Sequence, residues 1–301
     1  MIITKIFSRL SNVSWLLQNC RKNPLRYLVC STILKLRWRF RDGGILIAGA
    51  EAIYLSILAD AGRDPEKPIE FYMQELSQWR ELAEHWERKT RELITPARTR
   101  ALGLDANNPF WEQIISQSGS YILSYALVRE LKPKVIVETG TAYGHGTVYI
   151  AAAAFKNGDG RVISIDIPAK KGELKMNKTI GRKEIGSFIP EFIRSVWEYR
   201  EGDAKVLLPR VLIEDDVEMF IHDSLHTATH MAFEYAVARA LMRHKTLIVS
   251  DDIAMNNAFD NFLAGHKLTG YALAGNPNFG FVVNKFNDEE RSIGTGIVTP
   301  D

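Results

Sequence analysis

The sequence lacks several features that mark specialised classes of protein. Only two cysteines, Cys20 and Cys30, occur among its 301 residues. That number is too small for a disulfide scaffold or a four-cysteine zinc site, and it is typical of the reducing cytoplasm, where we expect this protein. The 21 glycines and 11 prolines form no repeat and no low-complexity segment, which excludes collagen and extended disorder.

Long apolar runs are also missing. No stretch of about 18 uncharged apolar residues occurs, because Glu51 interrupts the best candidate, residues 43–59. Near the N-terminus, Lys5 and Arg9 break the apolar segment, and no small-residue cleavage site follows it. We therefore expect neither a transmembrane span nor a signal peptide.

Acidic residues are absent from residues 1–41, which contain nine basic residues. The whole chain has 38 Lys and Arg against 36 Asp and Glu, so the remainder carries 29 basic and 36 acidic residues. Apolar residues at helical spacing predict that this basic arm is an amphipathic helix. Such a helix can pack on its own chain, on a second copy in a homo-oligomer, or peripherally on an anionic membrane. We expect no nucleic-acid partner.

The pattern of the chain changes twice after the basic arm. Residues 42–106 are predicted to form a helical extension. Residues 107–286 alternate β-branched strands with helices, which is typical of a parallel sheet with helices on both faces, and residues 287–301 form a C-terminal tail. The predicted strands are Val135–Glu138, Arg161–Asp166, Glu198–Glu201, Met219–Asp223, Thr246–Asp251 and Gly280–Asn284.

A glycine loop follows the first of these strands. It runs from Glu138 through Thr139-Gly140-Thr141-Ala142-Tyr143-Gly144-His145-Gly146 into an alanine-rich helix. Glycines in such a turn let the backbone approach a ligand closely. Their spacing does not fit the dinucleotide pattern G-x-G-x-x-G, which disfavours an NAD-linked oxidoreductase. An acid immediately before the loop suits a ligand with a cationic end.

This segment resembles the first motif of the class I S-adenosylmethionine-dependent methyltransferases, an acid followed by G-x-G-x-G. Gly140 and Gly144 match the outer glycines, and Ala142 replaces the middle one. The resemblance implies a Rossmann-like methyltransferase sheet. It also implies cofactor-binding roles for further residues: the amino end of S-adenosyl-L-methionine at Glu138, its ribose hydroxyls at Asp166, and its adenine at Gly202-Asp203-Ala204.

Acidic residues also end the fourth and fifth predicted strands. Asp223 lies in His222-Asp223-Ser224-Leu225-His226, and Asp251-Asp252 follow the fifth strand. Because these ends meet at one edge of a parallel sheet, the three carboxylates are predicted to converge and to need a cation. Oxygen ligands favour Mg²⁺, which lowers the pKa of a bound hydroxyl. The metal-free alternative is a site in which Asp223 alone acts as base.

These segments resemble a bacterial subgroup of the same family, which includes metal-dependent sugar O-methyltransferases and a relative described as a cephalosporin hydroxylase. The resemblance spans about residues 110–285. It implies Mg²⁺ ligands at Asp223, Asp251 and Asp252, and a general base at His226. A neutral imidazole suits that role; the alternative is that His226 caps the following helix or only packs. His222 should point to the opposite face of its strand and be structural.

The sequence as a whole predicts an O-methyltransferase that acts on a hydroxyl of a sugar, a glycan or a small natural product. Its basic arm would place the enzyme and take no part in the chemistry. The alternatives are a metal-independent methyltransferase that uses another small acceptor, and a non-catalytic protein that binds a membrane or a partner through a retained methyltransferase scaffold.

Overall fold

An eight-stranded sheet organises the computed structural model, which describes residues 44–93, 118–168, 184–242, 246–274 and 276–285. All of these residues belong to one compact unit, Gly43–Asp301. The strand order is β1-β7-β8-β6-β5-β2-β3-β4. The strands are β1 (Gly44–Ala48), β2 (Val135–Thr139), β3 (Arg161–Asp166), β4 (Trp197–Glu201), β5 (Met219–His222), β6 (Thr246–Ser250), β7 (Thr269–Leu273) and β8 (Asn276–Asn284).

Eight α-helices accompany these strands in the described part of the chain. Two 3₁₀ segments, Glu191–Val196 and Ile253–Met255, precede β4 and follow β6. No described helix is long and apolar enough to cross a membrane. The α-helices are α1 (Ala50–Ala61), α2 (Ile69–Ser77), α3 (Arg80–Leu93), α4 (Ser118–Leu131), α5 (Thr147–Asn157), α6 (Ala204–Glu214), α7 (Ala228–Leu241) and α8 (Ala258–Gly265).

Helices cover both faces of the sheet, as the strand–helix alternation predicts. On one face, α6, α7 and α8 pack over alternate residues of the central strands, among them Val137, Ile163 and Phe220. The alternate positions point to the other face, where α4 and α5 pack on each other and contact β8 and β3. Because both faces of the central strands are covered, their side chains are almost all apolar and buried.

The sheet is mixed, and five of the seven strand pairings in the described residues are parallel. β2 pairs with β3 and β5, and β5 pairs with β6, all in parallel. β8 is antiparallel to both β6 and β7. The strands β2, β3, β5 and β6 therefore end at the same edge of the sheet, which brings the acids at their ends to one side of the molecule.

The extension differs from the sequence prediction at its start. The prediction for residues 42–106 is helical, but Gly44–Ala48 forms the edge strand β1, which pairs in parallel with β7. A five-residue apolar run such as Gly-Ile-Leu-Ile-Ala fits a strand or a buried helix equally well by periodicity. Strand β7 and helix α8 are likewise additions to the predicted elements. The basic arm, residues 94–117 and the tail 287–301 lie outside the described residues.

Candidate active site at the carboxyl edge of the sheet

The glycine loop passes directly against the end of β5. The Gly140 nitrogen donates to the carbonyl of Ile165 at 2.8 Å, and the Asp223 nitrogen donates to the carbonyl of Thr139 at 2.9 Å. Gly140 has φ +79°, and a Cβ atom at this position would lie 1.9 Å from the carbonyl oxygen of Asp223. Only glycine permits this approach, so the loop and the β5 end form one structural unit.

Asp166, at the end of β3, holds the loop from the other side. Its Oδ2 atom accepts hydrogen bonds from the nitrogens of Thr141 at 2.9 Å and Ala142 at 2.8 Å. Ala142 has φ +48°, a left-handed conformation that favours glycine. The departure from the family's middle glycine thus occurs where a glycine would be less strained, and the two bonds to Asp166 stabilise the alanine in that conformation.

Glu138 lies in the interior beneath the loop. Its Oε2 atom accepts from Thr147 Oγ1 at 2.7 Å and from Ser164 Oγ at 2.8 Å. Burial is the main reason that its pKa rises to about 7, and the charge of Asp166 acts in the same direction. A nearby cationic group would favour the ionised form, so this buried carboxyl can respond to the charge of a ligand.

The remaining predicted cofactor residues have structural roles that the structure shows directly. Asp203 caps α6, because its side chain accepts from the Lys205 nitrogen at 2.9 Å. Ala204 is buried in the first turn of the same helix. The Gly202 nitrogen donates to the carbonyl of Asp166 at 3.0 Å, which joins this turn to the loop region.

Gly144, the second glycine of the loop that matches the motif, has φ +83°, and a Cβ atom there would lie 3.0 Å from Gly186.

His226 lies between two carboxylates at the same edge of the sheet. Its Nε2 atom is 3.5 Å from Asp252 Oδ2 and 3.7 Å from Asp223 Oδ1. Asp251 is held nearby, since its nitrogen donates to the carbonyl of His222 at 2.9 Å. The structure therefore brings together the predicted base and all three predicted carboxylates.

These acids repel one another, and burial strengthens the effect. Burial and the charge of Asp252 raise the pKa of Asp251 to about 7. Burial and the charge of Asp251 raise the pKa of Asp223 well above its usual range. The pKa of His226 is lowered, because burial disfavours the imidazolium more than the charge of Asp252 favours it. His226 is therefore poised as a neutral imidazole.

The carboxylates do not form a preassembled metal cage. Among the described residues, no group of three or more His, Cys, Asp or Glu side chains is arranged to hold a metal ion. Asp252 turns one oxygen to the side-chain amide of Asn278, and Asp251 shares a hydrogen bond with Asp223. The Oδ1 atom of Asp251 is enclosed by protein and has no hydrogen-bond partner in the described part of the chain.

Tyr121 belongs to the site but was absent from the residues predicted by sequence. Its ring packs against His145 of the loop, with centroids 5.3 Å apart, and against Tyr149 at 5.7 Å. Burial raises the pKa of its phenol, and the charges of Asp223 and Asp251 add to the shift. The phenol therefore lies within electrostatic range of these acids. Tyr121 comes from α4, before the glycine loop, where no motif marks it.

Comparison with known proteins finds a family model that matches part of the chain. Residues 137–253 match a family model described as a methyltransferase domain. The matched segment runs from β2 to the 3₁₀ segment after β6, and so includes the glycine loop, Asp166, the β5 end and the acids after β6. No curated protein sequence matches the chain.

Solved structures with similar folds include three methyltransferases. An O-methyltransferase from Bacillus cereus, in complex with SAH, is 17% identical, with 65% of this chain and 90% of that chain covered and a TM-score of 0.44. The SAH-bound Podospora anserina methyltransferase PaMTH1 is 15% identical, with coverages of 82% and 100% and a TM-score of 0.47. CalS11, a TDP-rhamnose 3'-O-methyltransferase of calicheamicin biosynthesis, is 17% identical, with coverages of 67% and 93% and a TM-score of 0.41. Similarities this distant carry no argument about activity.

The contact between the loop and β5 predicts the effect of a methyl group at Gly140. We expect Gly140→Ala to lower the free energy of unfolding by about 3 kcal/mol or more, because the new Cβ overlaps the Asp223 carbonyl. Gly158→Ala is the matched control, since Gly158 has φ +90° with nothing within 4 Å of its Cβ position. The free energy of unfolding of Gly158→Ala should fall only by the cost of a left-handed backbone at alanine, about 1–2 kcal/mol. Urea denaturation measures both, and equal losses would contradict this contact.

The buried carboxyl of Glu138 predicts a pH dependence of stability. Because its pKa rises from 4.5 to about 7 on folding, the stabilisation by the protonated form is full below the unfolded value and is lost as pH rises through the folded value. In Glu138→Gln, the fall in the free energy of unfolding between acidic and alkaline pH should therefore be smaller by up to about 3 kcal/mol. The measurement is urea denaturation at about pH 5 and about pH 8. Glu214→Gln, on the exposed end of α6, is the control, and identical pH dependence in both variants would exclude the role of Glu138.

Proposed function

We propose that this protein transfers the methyl group of S-adenosyl-L-methionine to a hydroxyl oxygen of a sugar, a glycan or a small natural product. Its residues 137–253 match a methyltransferase domain. One observation carries this proposal. The glycine loop, held by Asp166, touches the β5 end at Asp223, and a neutral His226 lies within 4 Å of Asp223 and Asp252. The proposed donor site and the proposed proton acceptor thus adjoin each other.

The donor is proposed to lie along the glycine loop. Gly140 and Gly144 keep the backbone open there, and Ala142 holds the turn between them. Glu138 is proposed to attract the cationic amino end, because a positive charge favours its ionised form. Asp166 has lone pairs left for the ribose hydroxyls beside its loop contacts. The turn at Asp203 and Ala204 is proposed to border the adenine.

His226 is proposed to act as the general base. Its Nε2 atom accepts the proton of the acceptor hydroxyl while that oxygen forms a bond to the methyl carbon and the carbon–sulfur bond of the donor breaks. The electron pair of the broken bond remains on sulfur, so the sulfonium becomes a neutral thioether. A neutral imidazole is required for this step, and the lowered pKa of His226 supplies it.

The acidic residues are proposed to contribute only some of the ligands of a Mg²⁺ ion, since those in the described part of the chain form no complete cage. Mg²⁺ commonly takes one or two carboxylates and fills its other positions with water and substrate oxygens. Asp223, Asp251 and Asp252 would hold it, and the enclosed, unpartnered Oδ1 atom of Asp251 among the described residues supports this assignment. When bound, Mg²⁺ would lower the pKa of the acceptor hydroxyl.

Removal of the base predicts a loss of turnover without a loss of donor binding. We expect His226→Ala to lower kcat by about 10²–10⁴-fold and to leave the Kd for S-adenosyl-L-methionine within about two-fold, because His226 is not among the loop residues. His266→Ala is the control, since His266 precedes the amino end of β7 at the opposite edge of the sheet. Calorimetry measures the Kd, and transfer of labelled methyl to TDP-rhamnose or 3,4-dihydroxybenzoate measures kcat.

Two outcomes of that experiment would overturn the proposal at different levels. Absence of calorimetric binding at millimolar S-adenosyl-L-methionine would favour the non-catalytic alternative, a partner-binding protein on a methyltransferase scaffold. Full turnover in His226→Ala would leave the methyltransferase intact and remove the assignment of the base.

The metal assignment predicts sensitivity to chelation. We expect EDTA to abolish methyl transfer and added Mg²⁺ to restore it, because three carboxylates near one point favour a cation. Asp223→Asn should lose the Mg²⁺ response, whereas Asp159→Asn, an exposed residue before the amino end of β3, should keep it. Full turnover in EDTA would instead support the metal-independent version, in which Asp223 alone serves as base.

A further inference from the structure

Trp86 of α3 packs on the glycine loop from outside the segment that matches the methyltransferase family model. Its ring centroid lies 4.3 Å from that of His145 in the loop, with an interplanar angle of 48°. The same ring lies 5.3 Å from that of Tyr149 in α5 and 5.0 Å from that of Phe188. A side chain of the helical extension therefore contacts the loop and the rings that surround it.

His145 is the residue of the loop that Trp86 contacts. It lies between Gly144 and Gly146, so its imidazole is the one side chain that this stretch offers for packing. Burial lowers the pKa of His145 to about 4, and the ring is therefore neutral near pH 7. Tyr121 packs on it as well, with centroids 5.3 Å apart. A neutral imidazole can pack against such rings without the cost of burying a charge.

Phe188 joins a second segment to the same tryptophan. Its nitrogen donates to the carbonyl of Tyr143 at 2.8 Å, and the nitrogen of Gly186 donates to the carbonyl of Ala142 at 3.0 Å. The loop therefore lies against this segment through backbone hydrogen bonds. Trp86 contacts one ring on each side of that pairing, His145 in the loop and Phe188 in the segment.

The two halves of the glycine loop are held differently. Asp166 accepts hydrogen bonds from the nitrogens of Thr141 and Ala142, so the first half is fixed from within residues 137–253. The second half contains Gly144 and Gly146, and glycine loses more conformational freedom on ordering than any other residue. A ring that packs on this half reduces the cost of ordering it before a ligand arrives.

We infer that Trp86 is a positioning residue for the donor: through His145 and Phe188 it holds the second half of the glycine loop in the conformation that binds S-adenosyl-L-methionine. This inference rests on the proposed donor site along the loop. It gives the helical extension a part in donor binding, because α3 supplies a contact that residues 137–253 do not contain.

Trp79, the residue before α3, provides the matched control. Its ring lies 6.2 Å from that of Phe155 and 5.8 Å from that of Phe192, and Lys156 Nζ lies 4.5 Å from its centroid. Phe155 and Lys156 are at the carboxyl end of α5, whereas Trp86 contacts the loop at the amino end of this helix. Both tryptophans thus join the extension to α5, but these partners of Trp79 are not loop residues.

The first test measures donor affinity in the full chain. Calorimetry with S-adenosyl-L-methionine should give a Kd about 10-fold higher in Trp86→Ala than in the wild type, because the loop loses an aromatic contact that stabilises its binding conformation. Trp79→Ala should stay within about two-fold of the wild type. Trp86→Phe, which keeps an aromatic ring, should recover most of the affinity. Equal Kd values in Trp86→Ala and Trp79→Ala overturn the inference.

Hydrogen exchange of the donor-free protein separates positioning from a general loss of stability. The amides of the glycine loop should exchange about 10-fold faster in Trp86→Ala, whereas those of β5 and β6 should keep their wild-type rates. Trp79→Ala should leave exchange of the loop unchanged. Faster exchange in Trp86→Ala throughout the sheet, with no preference for the loop, would indicate a structural role only and would contradict the inference.

A second variant keeps the test valid if Trp86→Ala does not fold. His145→Ala removes the same contact from the side of the loop and should raise the Kd by a similar factor. Where both variants fold, their effects in the double variant should not add, because each deletes one shared interaction. Wild-type affinity in His145→Ala, or fully additive effects, overturns the inference.

Failure of the proposed function gives a different result. A wild-type protein that does not bind S-adenosyl-L-methionine at millimolar concentration removes the donor site itself. Wild-type binding together with an unchanged Kd in Trp86→Ala removes only the positioning role of the tryptophan.

Discussion

The contact between Gly140 and the carbonyl of Asp223 is the constraint on which the rest of the site depends. A Cβ atom at Gly140 would lie 1.9 Å from that carbonyl oxygen, so the glycine loop can lie against the β5 end only because this residue has no side chain. The contact joins the loop, where the donor is proposed to bind, to the strand that carries Asp223 and leads to His226. The proposed donor site and the proposed base are therefore adjacent through backbone packing.

The second constraint is electrostatic. Acids end the neighbouring parallel strands, and burial makes their ionisation unfavourable, so the pKa values of Glu138 and Asp251 rise to about 7. Such a group of acids is stable when some are protonated or when a cation is present. A sulfonium donor and Mg²⁺ are both cations, and a neutral His226 adds no positive charge of its own. The acids and the proposed ligands are complementary in charge.

Glu234 is a second buried glutamate near this edge of the sheet, and its pKa is shifted in the opposite direction from that of Glu138. Four hydrogen-bond donors keep it ionised, whereas Glu138 has fewer donors and is held closer to neutrality. Two buried glutamates at one sheet edge thus differ in charge. In the proposed mechanism Glu138 responds to the donor, whereas Glu234 accepts hydrogen bonds from Thr139 at the end of β2 and from His222 at the end of β5.

The sequence alone predicted the strand–helix alternation, the glycine loop and the acids at the strand ends, because periodicity and glycine spacing are local properties. It did not predict β1 as an edge strand, since the partner of Gly44–Ala48 is β7, more than two hundred residues away. It also left Tyr121 and Glu234 unmarked, because their importance comes from contacts across the sheet with His145, Thr139 and His222. Residue types and order along the chain determined the chemistry available, whereas tertiary structure decided which of these groups meet and which remain charged, because distance and burial are properties of the folded chain only.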